Sequence, residues 1–430
     1  MLFGKESFRK KNNGAYLIGY QLSEASAQIS FLRVGENKPY TFSMVAGMEE
    51  YSLPLCLFKA EEENIWFMGK EAKERGELVP QGLQEDLLYK AFRGEQVQID
   101  QDTYDSRALL ALYVKKSLSL LRLETSLSNI AAIMFTVDYL DADRVSALRE
   151  MTGYLQLDRV QMYFMTKEES FFWYNLYTDQ GLWKNQVMLY EMEEKELISL
   201  RLYVNRNTTP LVTVVEKKTY PQAAGLLEKA GDEREKDRLF LQLCEEDFAE
   251  AEVSAVYLIG DGFMGNWYQE GLKFLCQNRR VFRGNNLYSK GACQGLLQKL
   301  DADKLAQAYV YLGEDKLLAN VGMNLLRQGE KSYLAILNGG NSWYDCTNEW
   351  EVILEGEKEL TFRITPLNGK MIVDHVMLLN GLEPQRQPCV RLHLNVWMTS
   401  PKQLQIRVEE RGFGAFYPGG GRIWEERIEL

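Results

Sequence analysis

The chain has 430 residues, too many for one ordinary hydrophobic core, and its 46% hydrophobic and 12% aromatic content rules out disorder driven by charge. Fifty basic side chains against 61 acidic ones leave a net charge of −11, which disfavours nucleic acid and anionic membranes as partners. Two histidines and six singly scattered cysteines argue against a histidine-rich metal site and against a disulfide framework.

In chain order, Met1 to Asn13 has the charge of a signal n-region (Lys5, Arg9, Lys10, Lys11), but the apolar stretch Tyr16 to Tyr20 is too short to follow it, so a cytoplasmic protein with no membrane insertion is expected. Ala15 to Tyr20, Ala27 to Arg33, Ser52 to Phe58 and Ile65 to Phe67 read as strands. Asp105 caps a helix whose apolar positions recur at helical spacing, and Ile130 to Val137 is a continuous apolar run of the kind buried on both faces. A helix from Asp141 or Asp143, a strand at Val160 to Met165 and an aromatic-rich helix from Lys167 to Tyr177 follow. Strands are expected at Gln186 to Met192, Leu197 to Val204 and Pro210 to Glu216, then a long charged helix from Asp232 to Glu252.

The segment Val253 to Leu297 is the most distinctive. An apolar strand ends in Gly260-Asp261-Gly262, a helix starts, and a second helix opens at Ser289-Lys290-Gly291-Ala292. This resembles the adenosine motif of heat-shock chaperone ATPases, where glycine lets the backbone approach the purine and ribose. Three further segments, Tyr16 to Arg33, Glu63 to Lys73 and Ile130 to Tyr163, stand in that family's order. The chain therefore resembles the actin/heat-shock-chaperone/sugar-kinase ATPase superfamily. The resemblance implies an α/β two-lobed actin-like ATPase fold over 1–303, with a first lobe over about 1–125 and a second from about 126. After about Lys304 the period changes to two, which predicts a C-terminal antiparallel β-sandwich over 304–430.

The departures from the family pattern bear on function. Where the first phosphate hairpin carries Asp, Gly and Thr or Ser, this chain has Gln21, Ser23 and Glu24. In the second phosphate loop Glu191 stands near the Asp position, and Glu193, Glu194 and Lys195 fill the glycine stretch. Two ionised carboxylates about 5 Å from a phosphate oxygen would each be repelled by roughly 3 kcal/mol at an effective dielectric near 20. Gly260, Asp261 and Gly262 are degenerate adenosine-motif candidates, and Gln21, Ser23, Glu191, Glu193 and Glu194 are phosphate-motif positions expected not to bind. Glu168 and Glu169 lie near the place of a catalytic carboxylate and receive no role.

The expectation is a pseudo-ATPase, without cofactor or metal, that acts as a scaffold or assembly factor for an unidentified protein partner. The alternative is a nucleotide-dependent chaperone-like ATPase or small-molecule kinase that uses ATP and Mg²⁺ in a rearranged site. Trp343, Tyr344, Trp350, Trp397, Phe413, Phe416 and Tyr417 in the C-terminal part are read either as partner contacts or as rings that close its core.

Overall fold

The computed structural model describes residues 8–430 apart from 46, 61–64, 194–195, 222, 224–232, 250, 368–370, 383–388 and 415–417. Glu63, Glu194, Lys195, Asp232, Phe416 and Tyr417 of the sequence reading lie outside the described residues. The chain divides into two compact units, Met1–Tyr311 and Leu312–Leu430. The first is α/β with mixed sheets, and the second is all antiparallel sheet. No described helix is long and apolar enough to cross a membrane.

The first unit holds two six-stranded sheets. In the first sheet β1 (Tyr16–Leu22), β2 (Ser26–Arg33), β3 (Tyr40–Thr41), β4 (Ile130–Val137) and β5 (Gln161–Thr166) run in the order β5-β4-β1-β2-β3, and a short strand, Leu53–Pro54, pairs with β2. β1 pairs in parallel with β4 and antiparallel with β2, while β4 and β5 are parallel. The apolar run of β4 is buried along almost its whole length, as a parallel strand covered on both faces must be. Its crossover helices start where carboxylates satisfy free amides. α1 (Ser106–Leu118) opens at Asp105, which accepts from the Arg107 N–H at 2.8 Å, and α2 (Ala142–Tyr154) opens at Asp141, which accepts from the Arg144 N–H at 2.8 Å. Because β4 pairs with β1 and β5 with β4, the first sheet extends to Thr166, past the division expected near 125–126. α3 (Lys167–Leu176) follows, with Thr166 accepting from the Glu169 N–H at 3.2 Å.

The second sheet repeats this plan. β6 (Gln186–Met192), β7 (Leu197–Asn205), β8 (Leu211–Thr219), β9 (Val253–Ile259), β10 (Arg280–Arg283) and β11 (Tyr309–Tyr311) lie in the order β10-β9-β6-β7-β8-β11. Their helices are α4 (Glu233–Phe248), α5 (Gln269–Leu275) and α6 (Leu287–Leu300). Leaving out β11, the strand order and directions match those of the first sheet. The register matches too: Leu22 pairs with Ala27 and Met192 with Leu197, and both parallel pairs carry an irregularity at their first residue, Tyr16/Leu17 and Gln186/Val187. Ser23 donates its N–H to the Ser26 carbonyl at 2.9 Å, and Glu193 donates to Glu196 at 3.0 Å, so the two hairpins close alike. β11 pairs with β8 and carries the first unit to Tyr311, beyond the expected end at 303.

The sheets are joined by exchanged helices. α6 leaves the second sheet but packs on the first, where Ala292, Cys293, Leu296 and Leu297 meet Leu17, Leu32, Ala132 and Met134. α3 leaves the first sheet and packs on the second, where Phe171, Phe172 and Leu176 meet Val187, Leu189, Leu200 and Leu202. Close approach of these layers needs small residues. A Cβ on Gly19 would strike the Ser289 carbonyl, and one on Gly291 would strike the Ser170 carbonyl where α3 and α6 cross.

The second unit contains two four-stranded antiparallel sheets. β12 (Ala319–Arg327), β13 (Glu330–Leu337), β15 (Glu359–Pro366) and β16 (Val373–Leu378) form one, in the order β13-β12-β15-β16. β14 (Thr347–Glu355), β17 (Cys389–Ser400), β18 (Gln403–Arg411) and β19 (Ile423–Glu429) form the other in chain order. Alternation sets their buried faces: Leu360, Phe362 and Ile364 in β15, and Leu392, Leu394, Val396 and Met398 in β17. Trp343 and Tyr344 are 5% and 7% exposed and meet edge to face, so these two rings close the core rather than stand on its surface. Phe413 is 48% exposed.

Candidate functional site

Strand alternation brings the polar ends of β1, β4 and β6 to the seam between the two sheets of the first unit. Leu17 and Gly19 face α6, so Gln21 shares that face, and its neighbour across the parallel pair is Thr136. On the equivalent strand of the second sheet Val187 and Leu189 face α3, which puts Glu191 on that face. By register Gln21 and Glu191 are counterparts, as are Asp138 and Asp261 just beyond β4 and β9.

At this seam Lys167, the first residue of α3, is enclosed by carboxylates from both halves. Its Nζ lies 2.9 Å from Glu191 Oε1 and 2.7 Å from Asp138 Oδ1, and the side chains of Lys167 and Glu191 are only 9% and 6% exposed. Tyr288 of α6 donates its hydroxyl to Glu191 Oε2 at 2.8 Å, and its ring lies 5.5 Å from the ammonium. Burial alone would discharge the lysine, but Glu191 and then Asp138 outweigh it and hold the Lys167 ammonium above its ordinary pKa. Burial likewise works against the Asp138 carboxylate, and Lys167 together with Lys217 and Arg144 outweighs it and depresses that pKa. Burial pushes the Tyr288 phenol well up, and Glu191 adds to the effect.

Further carboxylates stand around this core. Glu24, in the turn after β1, is raised by burial and then by Asp138 and Asp86, with Arg144 and Lys167 opposing. Glu168 is raised by burial, with Lys217 opposing at 3.9 Å. Gln21 donates its amide to Ser23 Oγ at 3.2 Å, while Gln21 Oε1 and Thr136 Oγ1 are buried without a hydrogen-bond partner. Among the described residues no group of three or more His, Cys, Asp or Glu is arranged to hold a metal ion.

The Gly260-Asp261-Gly262 turn is packed against the chain itself. Gly260 has φ of 93°, and a Cβ there would strike the Met192 carbonyl; one on Gly262 would strike the Met192 side chain. Asn285 Oδ1 accepts from the Gly260 N–H at 3.2 Å, the Gly262 carbonyl accepts from Trp267 Nε1 at 2.9 Å, and Phe263 is buried and stacked on Trp267. The room these glycines make is taken by the end of β6. Sequence reasoning found Glu191 but passed over Lys167 and Tyr288. The available signal was the pair Tyr20-Gln21 and Tyr190-Glu191, each near the end of a strand and before a short hairpin.

Residues 38–314 match the family model described as a family of unknown function (DUF5716), C-terminal. The chain belongs to that family. Residues 316–430 match the model of a second domain of unknown function, DUF8552. No curated protein matches the chain. The family model takes in both α/β sheets except β1 and β2, together with Lys167, Glu191 and Tyr288.

Proposed function

We propose that the chain is a catalytically inactive relative of the actin/heat-shock-chaperone/sugar-kinase ATPases that works as a scaffold or assembly factor for another protein. The doubled strand order and the exchange of α3 and α6 support the kinship, since a two-lobed fold of that kind joins two like sheets around a nucleotide cleft. The observation that carries the inactivity is the ion pair at the seam. Lys167 puts a fixed positive charge between Asp138 and Glu191, at the strand ends where a metal-bound phosphate would need free carboxylates. Gln21 leaves the first hairpin without an acid, and the Ser23 and Glu193 amides already bond within their own turns. Met192 occupies the space beside Gly260 and Gly262. These residues do not fit ATP with Mg²⁺, and no chemical step follows from them.

The test is calorimetric titration and a thermal-shift series with ATP and Mg²⁺. A ligand that binds only the native state at a hundred times its Kd stabilises it by about 2.7 kcal/mol. No shift is expected at millimolar ATP. A clear shift, or phosphate release abolished by Glu191→Ala, would overturn this reading in favour of the enzyme. The scaffold part is tested by recovering the full chain from its native host and measuring its mass in solution. A stoichiometric complex with another protein is expected, and an isolated monomer is the result against it.

A further inference from the structure

Lys167 belongs to the chain segment that closes the first sheet, and its two acceptors come from different halves, Asp138 from the end of β4 and Glu191 from β6. Tyr288 adds a bond to Glu191 from α6, the helix packed on the first sheet. A lysine side chain normally keeps its ammonium in water, yet this one is 9% exposed and gives up hydration for two carboxylates. Without it Glu191 would keep only the Tyr288 hydroxyl, and Asp138, which is partly exposed, only the weaker pull of Lys217 and Arg144, so the two carboxylates would repel across the seam.

We propose that Asp138 and Glu191 form a cation site that the chain fills with its own Lys167 ammonium, and that this tethered cation clamps the two sheets of the first unit without any added ligand. The inference goes beyond the scaffold reading, because it concerns what holds the two halves and stands whether or not a partner protein exists. A bound ion can leave, and a side chain on α3 cannot. The tethered cation therefore favours this arrangement of the seam without any ligand, which presents a preorganised surface to a partner.

The experiment measures the distance between spin labels on the two halves of the full chain, one at Lys115 in α1 and one at Glu235 in α4, with exposed Cys276 and Cys389 changed to serine. Lys167→Ala is expected to shift the distribution to longer distances by several ångström, and Lys167→Arg to keep it native. Millimolar Mg²⁺, admitted to the vacated site, is expected to draw Lys167→Ala back toward the native distance and to leave the parent protein unchanged. A native distribution in Lys167→Ala, or a widened one that Mg²⁺ does not narrow, overturns the proposal. If Lys167→Ala does not fold, Asp138→Asn removes one arm of the clamp: a smaller shift in the same direction supports the proposal, and a native distribution overturns it.

Discussion

The ends of β1 and β6 are the same place built twice, and they solve the same problem differently. Both strands end in Tyr-X-apolar before a hairpin of equal length, with Tyr20 and Tyr190 fully buried and their hydroxyls bonded to Ser117 and Asp247. At the next position β1 carries neutral Gln21 and β6 carries charged Glu191. The glutamate is surrounded by a lysine and a tyrosine hydroxyl, while the glutamine leaves one oxygen without a partner. A buried charge forces its surroundings to supply counter-charge and hydrogen bonds, whereas a buried amide tolerates a missing bond at a cost of about 1–3 kcal/mol. The charged end is therefore the one that ties the halves together.

The largest expected effect breaks the charged end. Lys167→Met removes the cation but keeps the length of the side chain, and leaves Glu191 buried at 6% exposure with only Tyr288 beside it. Denaturant unfolding is expected to show a loss of about 3–5 kcal/mol, the usual result of removing one member of a buried ion pair. The double variant Lys167→Met with Glu191→Gln should lose less than the two single losses added together, because no unpaired charge then remains. Additive losses would mean that the two residues act separately. The counterpart at the neutral end, Gln21→Ala, is expected to cost much less.

A middle-sized effect sharpens the comparison at the loop after β9. Gly260 combines φ of 93° with backbone of Met192 where a Cβ would go, so neither rotation nor side-chain movement relieves Gly260→Ala. The backbone conformation alone sets a loss of about 1–3 kcal/mol, and the collision adds to it. Gly153 in α2 is the control: a Cβ there meets nothing within 4 Å, and alanine should stabilise by up to about 1 kcal/mol. Equal melting temperatures for the two variants would show that β6 yields to the added atom.

Local pattern made the elements legible and long-range pairing decided the rest. The β4 run IAAIMFTV, the Asp105 and Asp141 caps and the alternation through β17 and β18 were readable because each is fixed within a dozen residues. The α/β class with an all-antiparallel C-terminal part followed from them. The return of β4 to β1 and the packing of α6 on the first sheet depend on contacts across more than a hundred residues, and no local period reports them. The site failed for the same reason. Lys167 opens a helix that is legible for its aromatic residues, and nothing local reports that Asp138 and Glu191 converge on its ammonium from separate sheets. Trp343 and Tyr344 could be read as partner contacts or as rings that close the core, and the burial around them decides for the second.

The smallest effect concerns the acids around the clamp, and its sign depends on pH. Glu24 and Glu168 have folded-state pKa values raised above their ordinary 4.5, each first by burial, with the carboxylate of Asp138 adding to both. A raised carboxylate pKa means that the folded state prefers the proton. Each group therefore favours folding below its ordinary pKa and loses that contribution as pH rises through the folded value. Above its folded pKa each group carries a charge that the fold disfavours, so there the double variant Glu24→Gln with Glu168→Gln should melt higher than the parent. Asp138 has the opposite sign: its depressed pKa stabilises the fold at pH 7, and this is lost only as pH falls through the depressed value. The advantage of the double glutamine variant should shrink as pH falls through the raised folded values toward the ordinary carboxylate value, since the parent takes up the protons that the glutamines imitate. Because the Glu24 side chain still reaches solvent and is partly screened, the gain is expected to be small and to come mostly from Glu168. An advantage of equal size at pH 4.5 and pH 7 would show that it comes from packing of the amides, and that these two acids are not strained by the charges of the seam.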